Sequence, residues 1–107
     1  MKPTRYYSNK QEQAVAKTLD GRQTSNSGAT AFYKGDILTD NWLIECKTTT
    51  TEKKSFSIKK EWLQKNNREA FAMNKEYCAL CFDFGDDDER YYVIDEKTFK
   101  ELTEDKI

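Results

Sequence analysis

A chain of 107 residues, 35% of them charged and with a mean hydropathy of −0.97, has room for one domain around one core and holds no apolar run of the about 18 residues that a membrane span needs. Its cysteines, Cys46, Cys78 and Cys81, are odd in number and no apolar leader opens the sequence, so a disulfide framework is not expected and a cytoplasmic location is. The net charge of −1 hides an asymmetry: residues 1–68 carry 13 Lys/Arg against 7 Asp/Glu, and residues 69–107 carry 5 against 12, which suggests a basic surface facing a polyanion and an acidic end turned elsewhere.

In chain order, SNKQEQAVAKTLDG (8–21) reads as a first helix. Ser8 and Gln11 have the spacing of a capping box, Gly21 is a stop, and Ala14, Val15 and Leu19 form a thin apolar stripe. RQTSNSGATAF begins as a strand near Arg22 and breaks at Ser27–Gly28. KGDILTD (34–40) is a short strand, Asp40–Asn41 a tight turn, and NWLIECKT (41–48) the next strand, antiparallel to it. After a polar connector, a second helix starts near Ser57 and runs to Lys75. Its apolar face is Ile58, Trp62, Leu63, Ala70, Phe71 and Met73, interrupted near Asn66. EYCALCFDF (76–84) is an apolar strand, Gly85 to Glu89 a solvated acidic turn, RYYVID (90–95) a strand, and DEKTFKELTED (95–105) a closing helix capped by Asp95. The order α-β-β-β-α-β-β-α predicts a single α/β domain with a mixed sheet flanked by helices.

Cys78 and Cys81 form CALC, which superficially resembles a redox or zinc pair. On a strand, positions three apart point to opposite faces, and the chain has no histidine and no second such pair. Small buried hydrophobes are the expectation.

The chemistry concentrates in NWLIECKT. Alternation sends Trp42, Ile44 and Cys46 one way and Leu43, Glu45 and Lys47 the other. Glu and Lys are seldom fully buried unless paired or bound. With the preceding strand paired across the Asp40–Asn41 turn, Asp36 comes beside Glu45. Two carboxylates in a partly buried site repel each other unless a cation lies between them. A hard divalent cation fits such oxygen ligands, and the Cys46 carbonyl adds another. Lys47 brings positive charge to where a phosphate would sit, so the set suits phosphodiester hydrolysis.

Gly35-Asp36 followed by Ile44-Glu45-Cys46-Lys47 resembles the PD-(D/E)xK nuclease motif, with Gly35 where the motif usually has proline. Within that superfamily the chain looks most like the Holliday junction resolvases of archaea and phages. The likeness spans residues 8–84 and is carried by Glu12 in the first helix, GRQTSNSGA (21–29), GDI, IECKT, SIKKEW (57–62) and EAFAMNKEYCALCF (69–82). Gln13 stands where that family often has arginine. The resemblance implies a restriction-endonuclease-like core and Mg²⁺ or Mn²⁺ as cofactor. It implies Asp36 and Glu45 as metal ligands, Glu12 on the metal directly or through water, Lys47 as catalytic lysine, and Ser27 near the scissile phosphate. Cleavage would leave a 5′-phosphate and a 3′-hydroxyl. Cutting two opposed strands of a four-way junction takes two active sites, which a C2 homodimer supplies.

Arg22 and Ser27 are candidate phosphate contacts. Lys59 and Lys60, at a helix start, are candidate contacts to the DNA backbone, since phosphates favour helix N-termini and lysines together. Other readings are a nuclease for duplex or single-stranded DNA, a non-catalytic DNA- or protein-binding module of the same fold, and a metal-free interaction protein with an acidic surface.

Overall fold

Residues 4–24, 37–49, 51–85 and 89–106 are described in the computed structural model, with side chains from Lys10 onward. In chain order they form α1 (Thr4–Leu19), β1 (Arg22–Gln23), β2 (Ile37–Leu38), β3 (Trp42–Lys47), α2 (Lys60–Ala72), β4 (Tyr77–Phe82), β5 (Tyr91–Val93) and α3 (Glu96–Thr103). This is a small α/β domain with a mixed five-stranded sheet, ordered β1-β2-β3-β4-β5, and three helices. The β1–β2, β2–β3 and β4–β5 pairs are antiparallel and β3–β4 is parallel. A parallel neighbour needs a crossover, and α2 provides it.

The β2–β3 turn falls at Asp40–Asn41, as expected. The Thr39 amide donates to the Trp42 carbonyl at 3.0 Å, and the Trp42 amide donates to Thr39 Oγ1 at 2.9 Å. Its register sets Ile37 opposite Ile44 and Leu38 opposite Leu43. The central strand β3 is apolar because both its faces are covered. On one face Ile44 and Cys46 pack with Val15, Ile37, Ala79 and Cys81. On the other, Leu43 packs with Leu38 and Ala70, and with Met73 and Cys78 at the margin. Cys78 and Cys81 therefore belong to opposite faces of the sheet.

Several boundaries differ from the sequence expectation. Helix α1 begins at Thr4, so Ser8 lies inside it rather than at its start. The helix stops at Asp20, whose φ of 54° is left-handed, while the Gly21 amide closes the end on the Ala16 carbonyl at 2.9 Å. Gly21 is there for room: a Cβ would meet Ile37 Cγ2 at 2.8 Å and the Leu38 carbonyl oxygen at 2.9 Å. Helix α2 begins at Lys60 rather than Ser57, because Lys59 is extended at φ −86°, ψ 133°. It ends at Ala72 through a left-handed Asn74, with the Lys75 amide on the Ala70 carbonyl. Phe71 is 85% exposed and so is not on the buried face, which carries Asn66, Glu69 and Ala70 instead. Asp95 caps α3 as expected, its Oδ1 accepting from the Thr98 amide at 2.8 Å. Residues 25–36 of the two strands expected over 22–40, and positions 86–88 of the acidic turn, lie outside the described residues.

Candidate functional site

The charged end of β3 faces α2. Glu45 is 4% exposed, and its Oε2 has no hydrogen-bond partner among the described residues. Burial pushes its carboxyl above the usual 4.5. The positive charges of Lys47 and Lys65 pull it back, and the nearby Glu69 pushes it further up. Across from it, on α2, Asn66 and Glu69 are also buried, and Asn66 Nδ2 and Glu69 Oε1 are likewise without partners. A buried polar atom without a partner is costly, so three in one region mark an unsatisfied polar site.

Lys47 is half-buried, and its Nζ lies 4.4 Å from the centre of the Trp62 ring. The position of its backbone is fixed from the other side of the sheet. Buried Gln11 of α1 donates through Nε2 to the Lys47 carbonyl at 2.7 Å and to Asp83 Oδ2 at 3.0 Å. The other oxygen of Asp83 accepts from Thr48 Oγ1 at 3.1 Å and from the Gly85 amide at 3.0 Å. One carboxylate thus ties α1 to the segments that follow β3 and β4.

Glu12, next to Gln11, is 4% exposed, and its Oε1 accepts from Gln23 Nε2 of β1 at 3.4 Å. Asp36 and Ser27 lie outside the described residues. Asp36 adjoins Ile37 in the chain, and Ile37 pairs with Ile44, the neighbour of Glu45. Among the described residues no three His, Cys, Asp or Glu side chains converge as a metal-holding group. The Cys46 side chain is buried on the α1 face, away from Glu45. Arg22 is exposed on β1. Lys59 and Lys60 are exposed at the start of α2, which no side chain caps, and Lys59 Nζ lies 5.6 Å from the Trp62 ring.

Sequence reasoning missed Glu69, Asn66, Trp62, Gln11 and Asp83. The signal for two of them was present: Asn66, Glu69, Ala70 and Met73 recur at helical spacing, so the polar break in the α2 stripe is itself on the buried face. A separate recess of about 470 Å³ opens on the opposite face of the sheet, between Leu19, Trp42, Ile44, Ala79, Tyr92 and Ile94. It is apolar and holds none of the candidate catalytic side chains. No helix of the described residues is long and apolar enough to cross a membrane. Comparison with protein-family models, curated proteins and solved structures gives no match to this chain.

Proposed function

We propose that the protein is a metal-dependent, structure-specific DNA endonuclease of the PD-(D/E)xK type that resolves four-way junctions as a homodimer. The observation that carries this reading is Glu45, a buried carboxylate on the same strand face as Lys47, with an oxygen that has no partner among the described residues. A structural ion pair would satisfy that oxygen, and neither nearby lysine reaches it with a hydrogen bond. The antiparallel β2–β3 hairpin, the α2 crossover and the parallel β4 are consistent with a restriction-endonuclease-like core.

The donor set suits a hard cation, being carboxylate oxygen with no histidine in the chain. Glu45 and Asp36 would hold Mg²⁺ or Mn²⁺, with Glu12 and the Cys46 carbonyl as further oxygen donors. A bound cation of this kind polarises a phosphoryl oxygen and makes a water more acidic. Lys47, seated on Trp62, neutralises negative charge that builds on the phosphate in the transition state. Lys59, Lys60 and the uncapped amides of the first turn of α2 suit the DNA backbone, and Arg22 and Ser27 would add phosphate contacts.

The test is cleavage of a labelled four-way junction and a matched linear duplex, with Mg²⁺ or Mn²⁺ and with EDTA. Paired nicks in the junction alone, abolished by EDTA, are expected. Equal cutting of the duplex would remove the junction specificity and keep the nuclease. No cutting by folded protein in either metal would overturn the enzyme.

A further inference from the structure

We infer that Glu69 of α2 is a metal ligand, so that the cation is held between β3 and α2 by Glu45 from the strand and Glu69 from the helix. The inference rests on the metal-dependent reading above and adds to it a residue that the motif does not contain.

The placement comes first. Glu45 leaves β3 on the face that packs against α2, and Glu69 lies on the buried face of that helix, beside Ala70, which joins Leu43 in the core. The two carboxylates lie on the facing sides of the strand and the helix. Each is more than nine-tenths buried, and each has an oxygen with no hydrogen-bond partner among the described residues, Oε2 on Glu45 and Oε1 on Glu69. Carboxylates are acceptors only when ionised, so two of them cannot satisfy each other. A cation answers both oxygens at once. Asn66, one helical turn before Glu69, is 2% exposed, and its Nδ2 is also orphaned. Amide nitrogen and oxygen have nearly the same shape, and the reversed amide offers Oδ1 to the same cation.

The competing occupant is a proton shared by the two carboxylates. It leaves the site with no affinity for a metal.

The experiment titrates Mn²⁺ into the full chain, with no DNA, by electron paramagnetic resonance and calorimetry. Wild type is compared with Glu69→Gln, Glu45→Gln and Glu61→Gln, the last an exposed acid on the same helix. Glu69→Gln and Glu45→Gln should each weaken Mn²⁺ binding at least about tenfold, and Glu61→Gln should leave it unchanged. If Glu69→Gln fails to fold, Glu69→Asp, which keeps the charge and withdraws it by one methylene, takes its place and should also weaken binding. Wild-type affinity in the folded Glu69 variant, with binding lost in Glu45→Gln, overturns the role of Glu69 and leaves the metal-dependent reading standing. Absence of Mn²⁺ binding by the wild type overturns both.

Discussion

The ammonium of Lys47 rests 4.4 Å from the centre of the Trp62 ring, so a side chain of α2 holds the tip of a side chain of β3. A cation over an indole face is held by about 0.5–2 kcal/mol, more as water is excluded. If Lys47 acts on the phosphate, its aim depends on this seat. Trp62→Ala is expected to slow single-turnover junction cleavage about tenfold, the rate equivalent of about 1.4 kcal/mol, while DNA affinity stays unchanged. Trp62→Phe keeps a ring and should retain most of the rate. Equal rates for wild type and Trp62→Ala would remove Trp62 from the account.

Glu45 also makes stability depend on pH in a definite direction. Its carboxyl is raised above 4.5 in the folded protein, chiefly by burial. Between 4.5 and the raised value, the folded chain keeps a proton that the unfolded chain has released. The stabilising contribution is therefore complete below pH 4.5 and disappears as the pH rises through the folded value. Thermal unfolding in EDTA should show this decline for wild type and a shallower one for Glu45→Gln. Parallel profiles for the two proteins would contradict the burial of a titrating Glu45.

The Gln11–Asp83 contact spans three elements. Removing Gln11 leaves Asp83 Oδ2 without that donor and frees the Lys47 carbonyl at the end of β3. Gln11→Ala should cost about 1–3 kcal/mol, since an unmade buried hydrogen bond costs more than a made one contributes. Urea unfolding measures it, and a loss under about 0.5 kcal/mol would show that the contact does not hold the strand ends together.

Gly21 gives a sharper structural test. Its missing side chain lets the end of α1 pass against β2, with Ile37 Cγ2 and the Leu38 carbonyl under 3 Å from where a Cβ would stand. Gly21→Ala is expected to destabilise the domain by about 1–3 kcal/mol, the usual range for overpacking. An unchanged denaturation midpoint would mean that the two elements part at no cost.

Strand alternation made the core of this fold readable. Leu43, Glu45 and Lys47 were expected to share one face of β3, and Leu43 packs towards α2 while Lys47 meets Trp62 of the same helix. The mixed sheet and three helices follow from the same patterning. The stop of α1 was readable from Gly21, but the end of α2 was not, because Asn74 takes the left-handed position where a glycine would have announced it. The buried face of α2 was misread because hydrophobicity was taken as the mark of burial. Phe71 is exposed while Asn66 and Glu69 are buried, so the helix turns polar side chains inward. Gln11 looked like half of a capping box, since a contact to Asp83, 72 residues away, leaves no local trace.

The proposed hydrolytic metal centre lies at the buried end of β3. The most direct test is the single-turnover cleavage rate of a labelled four-way junction in Mn²⁺, comparing wild type with folded Lys47→Ala. The account predicts paired, symmetric nicks by the wild type and a rate at least about a hundredfold lower for Lys47→Ala, the scale of losing one group that stabilises transition-state charge. Cleavage by Lys47→Ala at the wild-type rate would contradict it and leave Glu45 and Lys47 as structural charges of a domain whose chemistry lies elsewhere.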